Sequence, residues 1–223
     1  MLKKYDIIVV GAGHAGNEAA ASAAKMGSSV LLITMNMETI GQMSCNPAIG
    51  GIAKGQIVRE IDALGGQTGL VTDQSAIQYK LLNRSKGPAM WSPRAQCDRK
   101  MFSNTWRKKL ESIPNLDFWQ DVVQEIIVEK NKVVGVKTSM GVDIKCKAVV
   151  LNSGTFLNGT IHLGEKQFGG GRMGDKAIKG ITSQLESLGF KSGRMKTGTP
   201  ARVEGRSINL SVMEEQPGDA NPR

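Results

Sequence analysis

Apolar and polar positions follow one another along the chain in the order strand, helix, strand. The apolar run Ile7–Val10 has the composition of a buried parallel strand. The alanine-rich segment after it predicts a helix closed by Gly27, and Ser29–Ile33 predicts the next strand. These three elements predict a βαβ unit, in which the two strands lie side by side in one parallel sheet.

The middle of the chain carries helical patterns and then strand patterns. Apolar residues at helical spacing predict helices over Gln56–Leu64 and Arg94–Glu111. In the second helix, the side chains expected to face the core are Cys97, Met101, Thr105 and Leu110. Shorter periods then predict a small antiparallel meander, whose expected strands are Asp121–Glu129, Val133–Thr138 and Val142–Cys146.

One buried strand and one helix are the last regular elements that the pattern predicts. The strand is Lys147–Leu151, and the helix is expected to carry Ile178, Ile181, Leu185 and Leu188 and to end at Gly189. Three parallel strands are recognisable, whereas a doubly wound nucleotide-binding sheet has about five or six. We therefore expect a nucleotide-binding domain over residues 1–202, cut short, and the start of an incomplete domain over residues 203–223.

A glycine-rich turn joins the first predicted strand to the first helix and spells G-x-G-x-x-G. Its residues are Gly11, Ala12, Gly13, His14, Ala15 and Gly16. Gly11 permits the tight turn, Gly13 lets a pyrophosphate approach the backbone, and Gly16 lets the helix lie close to the sheet. The free N–H groups and the positive end of the helix would face the phosphates. The position between strand and helix predicts dinucleotide binding, and a purely structural turn is the alternative.

Two further positions are candidates for contacts with the same nucleotide. The end of the second strand is where a dinucleotide fold usually carries an acid for the ribose hydroxyls. This chain has Thr34-Met35-Asn36 there, with Glu38 arriving late, so Asn36 is the candidate ribose contact. The strand Lys147–Leu151 ends in a turn containing Gly154, which would present a second backbone edge to the nucleotide.

Composition narrows the class of protein. The net charge of +9 favours a polyanionic partner, and a solvated basic surface is the alternative. Aromatic residues make up 4% of the chain, which argues against a stacking platform for single-stranded nucleic acid.

No segment approaches the ~18 consecutive apolar residues of a membrane span, and the N-terminus lacks the apolar stretch of a secretory signal. We therefore expect no membrane association and a cytoplasmic protein. Three widely spaced cysteines suit a reducing compartment and give no metal-ligand spacing.

Several loops combine glycine with reactive or basic side chains. The segment Ile40–Gly55 holds Cys45, which is either a reactive thiol favoured by the glycine-rich setting and nearby Lys54, or a buried inert cysteine. The basic segment Gln78–Arg99 is either an exposed loop with scattered charges or a contact with a phosphate or the edge of a flavin. Gly169–Asp175 predicts a second flexible loop with one guanidinium, and Arg194–Arg202 predicts phosphate or substrate binding, with a charged surface turn as the alternative.

These motifs together resemble the N-terminal part of one family of tRNA-modifying flavoproteins. The matching stretches are GAGHAGNEAA, IGQMSCNPAIGGIAKGQIVREIDALGG, SKGPA, GTFLNG, GGGRMGD and RMKTGTPAR, in this order. The family is that of the tRNA uridine 5-carboxymethylaminomethyl modification enzyme, or glucose-inhibited division protein A. SCNPAIGG is the most specific of these motifs, and the resemblance runs from about Tyr5 to the end of the chain. Family members are much longer, so the resemblance identifies the chain as a fragment.

The resemblance implies an α/β fold with an FAD/NAD(P)-binding Rossmann-type domain, that is, a parallel sheet with helices plus the small antiparallel meander. It implies FAD as cofactor and NADH as reductant. Proteins of this kind act as homodimers with a partner GTPase on the wobble uridine of certain tRNAs. They install an aminomethyl-type group at C5, with a methylene taken from a folate donor and carried by the flavin.

The resemblance also implies roles for individual residues. Gly11–Gly16 would hold the FAD pyrophosphate, and the backbone of Val123 would contact the adenine side. Cys45 matches a catalytic cysteine at the uracil ring, acting as a nucleophile or an acid/base. Ile178 stands where the family often has a serine near the flavin. The alternatives are another FAD-dependent oxidoreductase, a folate-dependent tRNA methyltransferase, or a nucleotide-binding module without catalysis.

Overall fold

The computed structural model describes residues 3–198 and 200–222, which fold into α-helices and β-strands. The strands are β1 (Tyr5–Val10), β2 (Val30–Thr34), β3 (Ala48–Gly50), β4 (Ala76–Leu82), β5 (Ser92–Cys97), β6 (Leu116–Gln120), β7 (Val123–Glu129), β8 (Lys132–Thr138), β9 (Asp143–Leu151), β10 (Thr160–Leu163) and β11 (Lys166–Gly169). The α-helices are α1 (His14–Lys25), α2 (Lys54–Ala63), α3 (Thr68–Ser75), α4 (Arg99–Glu111) and α5 (Ile181–Ser187). Short 3-10 helices span Met37–Thr39, Arg84–Lys86, Pro88–Met90, Gly205–Ser207 and Leu210–Val212.

Packing groups these elements into two units. The first contains the chain up to Gln42 together with Ser103–Arg194, and the second contains Met43–Phe102 and the chain from Met195 onward. The domain boundary predicted at residue 202 stays a prediction. None of the helices in the described ranges is both long enough and apolar enough to span a membrane.

A six-stranded sheet in the order β6-β2-β1-β9-β8-β7 forms the centre of the first unit. Its first four strands are parallel, with Val10 of β1 opposite Ile33 of β2 on one side and Leu151 of β9 on the other. The helix α1 packs on β1 and β2 through its alanines, because small side chains let the helix approach the sheet closely. The predicted Rossmann-type α/β fold with an antiparallel meander is confirmed.

The strand β9 belongs to both the parallel and the antiparallel parts of this sheet. Its first residues, Asp143–Lys145, pair antiparallel with β8, and Cys146–Leu151 pair parallel with β1. The sequence pattern predicted two separate strands here, which is wrong, because no turn separates Val142–Cys146 from Lys147–Leu151. The meander is therefore a direct extension of the nucleotide-binding sheet.

Apolar side chains from the parallel strands and the meander form one buried core. Its fully buried members are Ile8, Val10, Leu31, Ile33, Val123, Val136, Ile144, Cys146 and Ile181. Ile8 and Val10 of β1, and Leu31 and Ile33 of β2, are two residues apart, which is the spacing that places side chains on one face of a sheet. The core thus fixes the carboxyl ends of β1 and β9, where the candidate site lies.

Three details of β6, α4 and α5 differ from the sequence prediction. The sheet has four parallel strands rather than three, because β6, whose sequence LDFWQ lacks an apolar run, pairs in parallel with β2. The helix α4 begins only at Arg99, and it buries Phe102, Trp106 and Leu110, while Met101 is 51% exposed. Ile178 precedes α5 and forms an isolated bridge with Leu157 instead of belonging to the helix.

The second unit is built on a three-stranded antiparallel sheet in the order β3-β5-β4. The segment Gln78–Arg99, which the sequence suggested as an exposed basic loop, contributes much of β4 and all of β5. The chain near Asp219 lies along β4, where the Asp219 N–H donates to the carbonyl of Tyr79 (2.8 Å) and the Asp219 carboxylate accepts from the N–H of Leu81 (2.7 Å). Arg84 completes this contact with an ion pair to Asp219 (3.0 Å).

Candidate functional site

The turn between β1 and α1 is packed so closely that two of its glycines cannot carry a side chain. A Cβ on Gly16 would lie 1.9 Å from the carbonyl oxygen of Gly11. A Cβ on Gly11 would lie 2.2 Å from the carbonyl oxygen of Asn152, and Gly11 has φ of +99°. Both contacts are far inside van der Waals distance, so the structure gives a steric reason for glycine at these two positions.

Gly13 differs from its two neighbours in the fingerprint because the space in front of it is open. It is the N-cap of α1 in extended conformation, and a Cβ placed on it would meet no protein atom within 4 Å. No side chain caps the helix, and its first turn contains no acidic residue. A helix N-terminus that is neither capped nor neutralised favours an anion, and an open backbone there matches the approach of a diphosphate. The residues present therefore fit a dinucleotide.

A second backbone edge lies beside this turn, at the end of β9. The Asn152 N–H donates to the carbonyl oxygen of Val10 (2.8 Å), which brings the two strand ends together. Gly154 follows with φ of +56° and open space at its Cβ position. The predicted positions Gly11, Gly13, Gly16 and Gly154 thus lie at one edge of the sheet, as a ligand that spans two strand ends requires.

The loop after β2 closes over the same turn. The N–H of Gly41 donates to the carbonyl oxygen of Ala12 (2.9 Å), and Gly41, with φ of +64°, lies against Trp106 and Asn17. The side chain of Asn17 is fully buried, and neither atom of its amide has a hydrogen-bond partner among the described residues. Gly41, which is bonded to the fingerprint turn, is therefore packed between side chains of α1 and α4.

One side chain at this site was not among the residues predicted to bind the cofactor. Arg172, in the loop between β11 and α5, donates a hydrogen bond to Oε1 of Gln42. Its guanidinium carbon lies 5.5 Å from the centroid of the Phe156 ring. The basic loop Gly169–Asp175 carried the only sequence signal, and nothing in the sequence links it to Gln42, 130 residues away.

Asn36 and Val123 belong to the first unit, and the structure restricts what each can offer. The side-chain oxygen of Asn36 accepts a hydrogen bond from the N–H of Glu38 (2.8 Å) and caps the short helix that follows. The side chain of Val123 is 1% exposed and belongs to the core, which leaves its backbone for any ligand contact.

Nearby Asp121 accepts hydrogen bonds from Ser139 and from the N–H of Val122. Although burial opposes it, hydrogen bonding to the carboxylate lowers the pKa of Asp121.

Cys45 lies in the second unit and is exposed, so the alternative of a buried cysteine is wrong, while its reactivity stays a prediction. Two arginines bind the backbone at and next to it. Arg99 donates to the carbonyl oxygen of Cys45 (3.4 Å), and Arg202 donates to that of Ser44 (2.8 Å). The thiol is therefore presented on a loop fixed by two cations, which suits a thiol that meets an anionic substrate.

The nearby lysine and the other cysteines have different surroundings. Lys54 donates to the carbonyl oxygen of Ala48 (3.4 Å), and burial lowers its pKa, partly offset by the thiol of Cys97. Burial raises the pKa of the thiols of Cys97 and Cys146. These two buried cysteines are consequently poor nucleophiles, and Cys45 is the exposed one.

The basic loops have partners that limit their availability for a ligand. Arg84 pairs with Asp219, and Arg194 donates to the carbonyl oxygen of Asn158 (2.7 Å). Thr199 of the segment Arg194–Arg202 lies outside the described residues. The described residues contain no cluster of His, Cys, Asp and Glu that could hold a metal ion.

Known proteins resemble this chain over its whole length. The sequence profile of the family described as Glucose inhibited division protein A matches residues 6–223. A protein of Cytophaga hutchinsonii named tRNA uridine 5-carboxymethylaminomethyl modification enzyme MnmG is 68% identical over 222 residues, covering 100% of this chain and 36% of its own length. The protein of the same name from Flavobacterium johnsoniae is 64% identical and covers 99% of this chain and 36% of its own length.

Solved structures agree with these relatives. The structure of Aquifex aeolicus GidA in the form I crystal has 51% sequence identity and a TM-score of 0.93, covering 99% of this chain and 37% of that one. The GidA-related protein of Thermus thermophilus, at 23% identity and a TM-score of 0.61, covers 84% of this chain and 69% of its own and shares the fold. The chain spans about 36% of the length of the relatives that it matches.

Proposed function

The chain belongs to the glucose inhibited division protein A family, and from this we propose that it is the flavin-binding part of an enzyme that modifies uridine in tRNA. The relatives that are 68% and 64% identical carry the name tRNA uridine 5-carboxymethylaminomethyl modification enzyme, which supports this substrate and reaction. The chain covers about 36% of their length, so the complete activity belongs to the longer protein.

The open backbone at Gly13 is the observation that carries the proposal. Gly11 and Gly16 are enclosed by protein atoms, while Gly13 and Gly154 face open space at the uncapped end of α1. This arrangement supports FAD, with its diphosphate at Gly11–Gly16 and its adenine side near the backbone of Val123. Asn36 would meet the ribose through its amide nitrogen, since its oxygen accepts a hydrogen bond from Glu38.

FAD, when bound, would supply the two-electron chemistry of the reaction. The residues of this chain would bind and orient it: the helix end holds the phosphates, and the loop at Gly41 closes over the turn by its bond to Ala12 (2.9 Å). NADH is the proposed reductant, and the methylene group is proposed to come from a folate donor.

Cys45 is the proposed catalytic residue. Its thiolate would add to C6 of the uracil ring, forming an S–C6 bond while the electron pair of the C5–C6 double bond makes C5 nucleophilic. C5 would then form a bond to the methylene carbon of the donor while the bond between that carbon and its carrier breaks and the carrier takes the electron pair. Loss of the C5 proton would restore the double bond and break the S–C6 bond, releasing the thiolate. The exposure of Cys45 on a loop fixed by Arg99 and Arg202 supports this role.

The proposal also covers the substrate, the protein partners and the location of the enzyme. The net charge of +9 suits tRNA as the substrate. A partner GTPase, a homodimer and a cytoplasmic location are proposed from the family resemblance.

Two measurements test the proposed function. The full-length protein should be purified with a flavin spectrum, and tRNA from cells that lack its gene should lose the 5-carboxymethylaminomethyl-type wobble nucleosides in mass spectrometry. Reintroducing the wild-type gene should restore these nucleosides. The proposal would be refuted if the deletion strain kept wild-type levels of these modified nucleosides. It would also be refuted if the purified protein neither contained nor bound FAD.

A further inference from the structure

Arg172 is held in a fixed position without a negatively charged partner. It donates to Oε1 of Gln42, and its guanidinium packs over the ring of Phe156 at 5.5 Å. Among residues 3–198 and 200–222, no carboxylate forms an ion pair with Arg172. The side chain is partly buried. A guanidinium that is partly desolvated and has a neutral partner retains its full charge for an anion.

Contacts through neighbouring residues link Arg172 to both backbone edges of the candidate site. Gln42, its hydrogen-bond partner, directly follows Gly41, whose N–H donates to the carbonyl oxygen of Ala12 in the fingerprint turn (2.9 Å). On the other side, Phe156 follows the turn at Gly154. The hydroxyl of Thr155 donates to the carbonyl oxygen of Gly171, the residue before Arg172 (2.6 Å).

The backbone of the loop that carries Arg172 packs closely against the aromatic ring. A Cβ on Gly171 would lie 2.2 Å from the ring of Phe156, so the backbone passes directly against that ring. The hydroxyl contact from Thr155 and the ring contact act on the same stretch of loop. The guanidinium therefore does not have to be ordered when an anion arrives, which favours binding.

We propose that Arg172 is a charge partner for the diphosphate of the dinucleotide held at the fingerprint turn, an inference that rests on the proposed function. A diphosphate brings about two negative charges, whereas a helix N-terminus supplies only about half of a positive charge. A guanidinium beside the turn supplies the missing charge and offers paired N–H donors with the geometry of phosphate oxygens.

Binding of FAD and of ADP to the apo form of the full-length protein tests this role, because ADP carries the diphosphate without the flavin. Arg172→Met keeps an unbranched side chain over Phe156 and removes the charge. We expect this variant to weaken both ligands by about tenfold to a hundredfold, as for a lost hydrogen bond to a charged group. The salt dependence of Kd should also become shallower.

Two control variants separate charge from loop anchoring. Arg206→Met removes the same net charge at a side chain that is 91% exposed and paired with Glu204, and should leave both Kd values within about twofold. Gln42→Ala removes the anchor but keeps the charge, and should weaken FAD less than Arg172→Met does. Thermal unfolding of each apoprotein checks folding, and Arg172→Lys, which restores the charge, should recover part of the affinity.

The outcomes are distinct. An Arg172→Met protein that binds FAD within twofold of wild type overturns the inference and leaves the proposed function intact. An equal loss in Gln42→Ala and Arg172→Met, or a loss for FAD without one for ADP, also overturns it, because anchoring or a flavin contact would then explain the effect. A wild-type protein that does not bind FAD overturns the proposed function and the inference together.

Discussion

The glycines of the fingerprint allow packing and ligand binding to be separated by two substitutions of the same kind. Gly13→Ala adds a methyl group that meets no protein atom within 4 Å, at a backbone conformation of φ −74° and ψ −176° that alanine adopts freely. Alanine is poorer than glycine as an N-cap by about 1 kcal/mol, but it restricts the unfolded chain by about 0.4–1 kcal/mol. We therefore expect the stability of the apoprotein to change by less than about 1 kcal/mol.

The same methyl group fills the space through which we propose the diphosphate reaches the helix end. Losing the backbone hydrogen bonds to a charged phosphate removes about 1.5–3 kcal/mol for each bond. FAD affinity of Gly13→Ala should therefore fall by about tenfold to a hundredfold or more, without a matching loss of stability.

Gly16→Ala is the matched control. Its methyl group would lie 1.9 Å from the carbonyl oxygen of Gly11 and 2.8 Å from Nδ2 of Asn152, so backbone must move by more than the few tenths of an ångström that packing tolerates. Overpacking of this kind costs about 1–3 kcal/mol, against a gain of up to about 1 kcal/mol from helix propensity. Gly16→Ala should consequently lose both stability and FAD.

Thermal unfolding of the two apoproteins and fluorescence titration with FAD measure these effects in the full-length protein. The two variants should separate: Gly13→Ala melts like wild type and binds FAD poorly, and Gly16→Ala melts earlier. If Gly13→Ala bound FAD as tightly as wild type, the diphosphate would not approach at Gly13, and the reasoning from the open backbone would fail.

Three further predictions concern other parts of the chain. Cys45→Ala in the full-length protein should abolish tRNA modification with FAD still bound; modification at the wild-type level in tRNA mass spectrometry would remove Cys45 from catalysis. Hydrogen bonds lower the pKa of Asp121, so its stabilising effect is present above the ordinary value of 3.8 and is lost as pH falls below it. Asp121→Asn should therefore destabilise the protein by about 1–3 kcal/mol at neutral pH, with a smaller deficit in acid, and a urea-unfolding deficit that is unchanged by pH would contradict this. Phe102→Ala should cost about 3–5 kcal/mol because Phe102 is fully buried, whereas Met101→Ala, at a position 51% exposed, should cost less than about 1 kcal/mol in urea unfolding; equal costs would contradict the observed helix face.

Local patterns were sufficient to predict β1, the fingerprint turn and α1. An unbroken apolar run, three spaced glycines and a series of alanines each determine their own conformation, and they agree with one another. The prediction failed where partners decide the structure. The strand β6 contains LDFWQ, without an apolar run, and it is a strand because β2 pairs with it. The strand β5, SPRAQC, is rich in polar residues and is a strand because it pairs with β3 and β4.

In the candidate site, too, the parts that depend on local sequence were predictable, and the long-range contacts were not. The glycines of the turn and Gly154 could be named as candidates from the sequence because their proposed roles depend on the backbone alone. The contact between Gln42 and Arg172 was missed, since a contact across 130 residues has no local signal. The face of α4 was displaced by one residue, because Met101 and Phe102 are both apolar and only the packed structure distinguishes them.

The undivided strand β9 makes the hairpin between β8 and β9 mechanically continuous with the edge at Asn152. The residue that follows β9, Asn152, is joined to the end of β1 by the hydrogen bond from its N–H to the carbonyl oxygen of Val10 (2.8 Å). A change in the orientation of β9 would therefore move both strand ends. Because β9 runs without a turn from its pairing with β8 to its pairing with β1, a displacement of the hairpin would reach the strand end beside the fingerprint turn.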